Sequence, residues 1–462
     1  MGHSMAKCLS LVLLALLAAC APGKPAAPAG PVKVSIFVGF GTGTDPSQIE
    51  VHNQLAKEFN DTHKDIQVEF VTVPYAEART KYSAMVAGNM APDLVMPIGV
   101  MGIAGNYDGW KDIAPYIKKD NYDLSDYYGP AVDVHKYSDK TVGLPIGVYP
   151  SVVYYNSDMF DRAKLPYPPT KIGEAYQGSP WTYDTLIQLA QKLTLDKKKK
   201  NSTQPGFDAG NVVQYGFDGW DWSPWRIVPG KFGGNALGMS ADFKTAQMNT
   251  PEWKAGLKFL YDTINTWHVR PKGAGENATS IYGDNDPIGS GKTGMWECFS
   301  WIQYAYSGWS ANFSWNVAPV PAGPTGKVVA QANADTFAIP VQAPHPDQAW
   351  EVMKWMVEPA NMVRLTNSYG AIPARKSLAA GWLEGQKKIS TKVNWQLFLD
   401  SIDYMDKPNN EAWVPNYQKV WDAMENNMTA VTTGKVTDTD KALDTLNTEV
   451  QGYLDEYWKA KK

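Results

Sequence analysis

The chain has 462 residues, room for two or three domains, and 44% hydrophobic against 19% charged residues describes an ordered globular protein rather than a disordered or fibrous one. A net charge of -4 denies it the broad basic face that nucleic-acid binding needs. The unusual feature is 18 Trp and 24 Tyr, a surplus that suits core mass but also flat sugar faces and protein interfaces.

The first thirty residues read as targeting rather than fold. Lys7 precedes the apolar stretch Leu9 to Leu17, too short to cross a bilayer, as in an export signal. Leu17-Ala18-Ala19-Cys20 resembles a bacterial lipobox, which makes 1–20 a lipoprotein signal peptide with Cys20 the acylated residue. The alternative is an ordinary signal cleaved after a small residue. Residues 21–32, rich in Pro and Ala, fit a tether that holds a domain off a membrane. The expected location is therefore extracytoplasmic, lipid-anchored to the bacterial cell membrane. Once Cys8 and Cys20 are set aside, Cys298 stands alone, so no intramolecular disulfide is expected and Cys298 is read as a buried thiol. The Asn-x-Ser/Thr sequons at Asn60, Asn201, Asn277, Asn312 and Asn427 are read as chance in such a protein.

Val34, Ile36 and Val38 alternate with other residues in a first strand, which runs into the loop Gly39 to Asp45. Ile49, Leu55, Ala56 and Phe59 then recur at helical spacing, with Asp45-Pro46 as a helix start, and Ile66 to Val73 form a second strand. A helix through Tyr82, Met85 and Val86 stops at Gly88, and Pro92 to Met96 read as a third strand. Strand, helix, strand, helix, strand predicts an α/β fold on a parallel sheet, with ligands gathering beyond the carboxyl ends of the strands. Val152 to Tyr155 suggest another strand. Thr182 is placed as an N-cap for an apolar-faced helix through Leu186, Leu189, Ala190 and Leu193. Lys197 to Lys200 after it read as a solvated loop. An amphipathic helix through Leu443, Leu446, Val450 and Leu454 closes the chain.

The order of several short motifs resembles the extracellular solute-binding lipoproteins of ABC importers, the carbohydrate-binding group that includes maltose-binding protein. These are Phe59 to Val73, Ala87 to Asp93, Val142 to Pro145 leading to Tyr154-Tyr155-Asn156, Gly291-Lys292-Thr293-Gly294-Met295, Ala318 to Pro321, and Tyr369-Gly370-Ala371-Ile372-Pro373-Ala374-Arg375. Residues 171–179 look inserted, and the family's glycine-rich strand is replaced by Asn333-Ala334-Asp335-Thr336-Phe337. The resemblance implies a periplasmic-binding-protein-like architecture: two α/β lobes, a hinge, and a ligand cleft between the lobes. Lobe 1 is expected over 33–147 plus 321–356 and lobe 2 over 148–320 plus 357–462. The crossings fall near Ile146 to Tyr149 and Pro319 to Pro321.

Chemistry-bearing motifs are few. Gly289-Ser290-Gly291-Lys292-Thr293 lacks the first glycine of a P-loop, with Asp286 in its place, and the histidines are scattered, so neither a metal nor another cofactor is expected. Aromatic clusters remain. Gly219 to Arg226 holds Trp220, Trp222 and Trp225 around Asp221, and Met295 to Tyr304 holds Trp296, Glu297 and Trp301. Pyranose C–H faces pack on indole while hydroxyls need carboxylate and amide partners, so a sugar site wants both kinds interleaved. The resemblance assigns sugar stacking to Trp301, polar contacts to Thr42 and Asp45 in the loop that also carries Phe40, a cleft-facing hinge position to Tyr149, and a returning strand to Asn333 and Asp335. Asp221, Trp222, Trp296, Glu297 and Trp413 complete the expected ligand-binding set. Arg375 is read as a structural anchor. The implied protein is a monomer without catalytic residues, whose partners are a carbohydrate ligand and ABC permease subunits, with the membrane reached through the lipid anchor. The rivals are a secreted polysaccharide-degrading enzyme, which needs carboxylates roughly 5–10 Å apart, or the same fold holding a peptide, polyamine or chelate.

Overall fold

A computed structural model describes residues 30–137, 140–220, 224–272, 279–283 and 285–462. Cys20, the signal peptide, the tether up to residue 29, Asp221 and Trp222 lie outside the described residues.

The elements expected in the first hundred residues form. They are β1 (Val32–Val38), α1 (Pro46–Thr62), β2 (Ile66–Thr72), α2 (Tyr75–Ala87) and β3 (Leu94–Ile98), with β1 paired in parallel to both β2 and β3. Asp45 is the N-cap of α1 and Pro46 its first residue, where the fixed φ of proline suits the turn and its missing N–H is not needed. Gly88 caps α2.

There follow β4 (Leu144–Asn156), α3 (Tyr183–Leu193), β5 (Val212–Gly219), α4 (Pro251–Asn265), β6 (Thr293–Phe299), β7 (Trp315–Ala318) and β8 (Ala332–Ala338). The helices α5 (Pro359–Tyr369), α6 (Ala379–Lys387), α7 (Tyr417–Thr432) and α8 (Thr439–Ala460) complete the chain. Thr182 does cap α3, its hydroxyl accepting the Thr185 N–H. Among the described residues no helix is long and apolar enough to cross a membrane.

The long sheet runs β2-β1-β3-β8-β4-β6-β5, with β7 also on β4. β4 belongs to both halves and all its residues are buried. Its first part, Leu144 to Pro150, pairs with β8; its second, Ser151 to Tyr155, pairs with β6, while β7 lines the other edge. The prolines sit where this ladder breaks. Pro150 stands at the handover and Pro145 beside the register shift opposite Asp335 and Thr336, places where a missing N–H costs least. The change of partner at Pro150 and Ser151 follows directly on the segment Ile146 to Tyr149 where a crossing is expected. At the handover the Gln331 N–H donates to Ser151 Oγ (2.8 Å), tying the residue before β8 to β4.

Two large apolar clusters pack on the sheet, the first of them running past the handover to Val152, Trp296 and Val317. One joins β1 to β3 with α5 and the helix Pro346–Met356; the other joins α3, β5, α4, α7 and α8. α5 packs on α1, although its residues fall in the segment 357–462 expected with lobe 2. α7 and α8 pack on each other and on α4. Cys298 is a buried free thiol, and Arg375 is an anchor, donating to Val357 O, Asp126 and Tyr122 with its guanidinium over the Tyr127 ring.

Candidate functional site

A cavity of about 890 Å³ opens where the strands end. The loop after β1 supplies Phe40, Thr42 and Asp45; the turn after β3 supplies Gly99 and Met101; the 3-10 turn Ser300–Ile302 after β6 carries Trp301, followed by Gln303 and Tyr304. Tyr149 comes from β4, Asn333 and Asp335 from β8, Tyr369 from the end of α5, Trp382 and Gln386 from α6, and Glu411 from the loop before α7. Seven of the expected residues therefore line one cavity: Phe40, Thr42, Asp45, Tyr149, Trp301, Asn333 and Asp335. Such a position, beyond the carboxyl ends of strands and at a crossover, is where open α/β sheets hold ligands.

The loop after β1 is shaped by one side chain that the sequence reading did not single out. Buried Gln48 accepts the N–H groups of Gly43 (2.6 Å) and Asp45 (3.2 Å) and donates to Thr42 Oγ1 (2.6 Å) and Ser368 O (3.1 Å). Gly43 holds φ at +104°, and a Cβ there would come within 2.7 Å of Val38, so glycine is required. The signal for Gln48 was its place three residues after the capping Asp45.

Trp301 lies nearly parallel on Phe299, ring centres 4.0 Å apart, and meets Tyr149 edge-on at 6.2 Å. The Tyr149 hydroxyl donates to Asp335 Oδ2 at 2.8 Å. Asn333 Nδ2 donates to Glu411 Oε2 at 3.1 Å. Burial pushes the Asp335 carboxyl up to about 6, against the Tyr149 hydrogen bond, and pushes Glu411 up to about 7, helped by the charge of Asp406 and opposed by Arg226. Arg226, itself buried, holds the loop of Glu411 by donating to Asn410 O (2.8 Å) and Ala412 O (3.2 Å). Tyr75 and Tyr304 are exposed aromatics on the same lining.

The other described candidates stand elsewhere. Trp296 and Glu297 belong to the body of β6, whose residues are all buried on both faces; only residues past the strand end reach the cavity. Trp296 packs against Tyr154 (6.1 Å) and Trp309 (6.5 Å). Glu297 pairs with Lys231 at 2.7 Å and accepts from Tyr183 (2.8 Å) and Trp220 Nε1 (3.0 Å), a buried group that locks α3 to β5 and β6. Trp220 and Trp225 are likewise buried. Trp413 stacks on Tyr107 at 4.1 Å and touches Phe243, beside a separate cavity of about 370 Å³. Glu411, two residues earlier, is the group of that loop that reaches the main cavity.

Residues 45–363 match the profile of the family described as bacterial extracellular solute-binding protein. An uncharacterized lipoprotein of Streptomyces antibioticus is 26% identical over 342 residues, 69% of this chain and 66% of that one, so the chain spans just under two thirds of that relative. The fold is similar to an ABC substrate-binding protein from Listeria monocytogenes solved with cycloalternan (TM-score 0.69, 20% identity, 92% of this chain and 99% of that one). It is similar too to the cyclic alpha-maltosyl-1,6-maltose binding protein of Arthrobacter globiformis (TM-score 0.70, 20% identity, 92% and 100%). Both carry the two-lobed, periplasmic-binding-protein-like fold.

Proposed function

The chain belongs to the bacterial extracellular solute-binding proteins, and from that premise we propose that it captures a sugar or oligosaccharide in the cavity and delivers it to the permease of an ABC importer. The observation that carries this reading is the lining itself. Trp301, Tyr149 and Phe40 offer ring faces for C–H surfaces, interleaved with Asn333, Asp335 and Glu411 that accept hydroxyl protons. The relatives solved with cycloalternan and named for cyclic maltosyl-maltose bind carbohydrates, which supports the same chemistry.

On this reading the lobes close about the handover in β4, and closure is the signal read by the permease. Acylation of Cys20 holds the protein at the membrane, and the tether gives it reach. The protein performs no chemistry on its ligand.

The test is thermal unfolding of the purified chain against a glycan panel, with product analysis. Stoichiometric stabilisation without turnover is expected. Trp301→Ala loses that stabilisation while its unliganded Tm stays close to that of the parent. Turnover of a glycan would overturn the transport reading, and unchanged affinity would take Trp301 out of the site.

A further inference from the structure

The cavity is larger than one sugar ring needs. At about 30 Å³ for each water, its 890 Å³ has room for about thirty waters, and a single hexose, even at one water per non-hydrogen atom, displaces about two fifths of them. The groups that the sugar reading uses are joined to one another: Tyr149 donates to Asp335, Asn333 donates to Glu411, and Trp301 meets Tyr149 edge-on. They leave part of the wall unused.

Beyond Trp301 the lining continues through Gln303 and Tyr304 of the turn after β6, Gly370 at the end of α5, and Trp382, Gly385 and Gln386 of α6. Gln386 Nε2 donates to Gln303 Oε1 at 2.9 Å, and a Cβ on Gly370 would stand 3.1 Å from the Gln303 Cβ, so the turn, α5 and α6 meet there. None of these side chains carries a charge. A Cβ on Gly385 would meet nothing within 4 Å, which leaves this face of α6 open.

The wall is also short of hydrogen bonds. Trp382 and Gln386 are only 6% and 8% exposed, yet among the described residues Trp382 Nε1, Gln303 Nε2 and Gln386 Oε1 have no hydrogen-bond partner. Buried polar groups are ordinarily satisfied, so in a cavity wall such atoms mark what a ligand brings. The terminal torsion of a glutamine is broad, and the two amides can turn to face a ligand while the rest of each side chain stays in place. Hydroxyls give and take, which matches an unmade acceptor paired with an unmade donor. Next to Gln303 stands Tyr304, 79% exposed, a ring held in water at the cavity rim and fit to carry the C–H face of a pyranose.

We infer that the ligand is an oligosaccharide of two or more units, with one ring at Trp301 and Tyr149 and the next seated between Tyr304 and α6, where Gln303 and Gln386 take its hydroxyls. This rests on the sugar-binding reading above and adds the length of the sugar and the place of its second unit.

Calorimetric titration of the whole chain with neutral mono-, di- and trisaccharides of gluco, galacto and manno configuration, both α- and β-linked, tests it. The longer members of at least one series bind at least about tenfold tighter than their monosaccharide. Tyr304→Ala, at an exposed position where the unliganded Tm stays close to that of the parent, narrows this ratio by about two- to tenfold. Gln386→Leu, which keeps the bulk and removes the amide, narrows it by about fivefold. A monosaccharide that binds as tightly as the longer members in every series overturns the oligosaccharide and leaves the sugar reading standing. Silence from every sugar overturns both. A preference for length that is unchanged in both variants overturns the place given to the second ring.

Discussion

Glu411 illustrates how a buried carboxyl links the site to stability. It is 3% exposed, donates no charge to solvent, and faces Asp406 and Asn333, the Met101 N–H, Arg226 and Tyr417. Burial raises its folded pKa from 4.5 to about 7. Between those values the folded chain holds a proton that the unfolded chain has already released, so the proton stabilises the fold and its contribution is lost as pH rises from about 4.5 to about 7. Asp335, pushed up to about 6, and Asp406, pushed up to about 7, act in the same direction. The unliganded protein is therefore expected to lose urea resistance between pH 5 and pH 8. Glu411→Gln removes one titrating group and reduces that loss by on the order of 2 kcal/mol. A variant whose urea midpoint falls as far as that of the parent would show that Glu411 does not titrate in this window. The same carboxyl escaped the sequence reading because Trp413, two places on, drew the assignment. An aromatic before a helix is visible in a sequence, but which of two neighbours turns inward depends on Arg226 holding the loop carbonyls, a contact 184 residues away in the chain at Asn410.

At the scale of the element, the parallel strands and their helices were legible because their apolar periods are local: β1, α1, β2 and α2 formed as expected, down to the Asp45 and Thr182 caps. β4 was legible only in its second half. A strand paired on both edges does not alternate, and Pro145 and Pro150 broke the pattern where the ladder itself breaks. β6 misled in the opposite way, since Trp296 and Trp301 lie in one aromatic run and only the strand end at Phe299 decides that the first is core and the second lines the cavity. The loop between β1 and α1 depends on a single amide. With Gln48→Ala the N–H groups of Gly43 and Asp45 lose their acceptor in a largely buried site, and α5 loses the tie to Ser368. The expected cost is about 2–3 kcal/mol in chemical denaturation, with weaker sugar binding as Thr42 and Phe40 lose their support. Gln48→Glu keeps the oxygen that accepts both N–H groups, loses the donation to Ser368 O, and recovers part of the stability. If the alanine variant unfolds within about 0.5 kcal/mol of the parent, the loop is held by something other than this network.

For the molecule as a whole, Trp413 joins a third apolar cluster, that of Phe37, Tyr82 and Trp110, to the side built on α8. Its ring stacks on Tyr107, which packs with the cluster of Phe37, Tyr82 and Trp110, while its edges meet Phe243 and Tyr457, which belong to the side built on α8. Arg79 to Gln418, at 3.5 Å, crosses in the same place. On the closure proposed above, contacts of this kind would favour the closed form without touching the ligand cavity. A ligand that binds the closed form gains from any contact that populates it. Removing an aromatic pair worth about 0.5–1.5 kcal/mol should therefore weaken sugar binding by up to about tenfold. Because Trp413 does not line the main cavity, Trp413→Ala should weaken all sugars by the same factor and leave their ranking intact, whereas Trp301→Ala alters the ranking. Small-angle scattering of the unliganded variant should show a larger radius of gyration than the parent, with the difference closing at saturating sugar. A change in ranking, or a radius equal to that of the parent with affinity reduced, would place Trp413 in ligand contact and return it to the role that the sequence suggested.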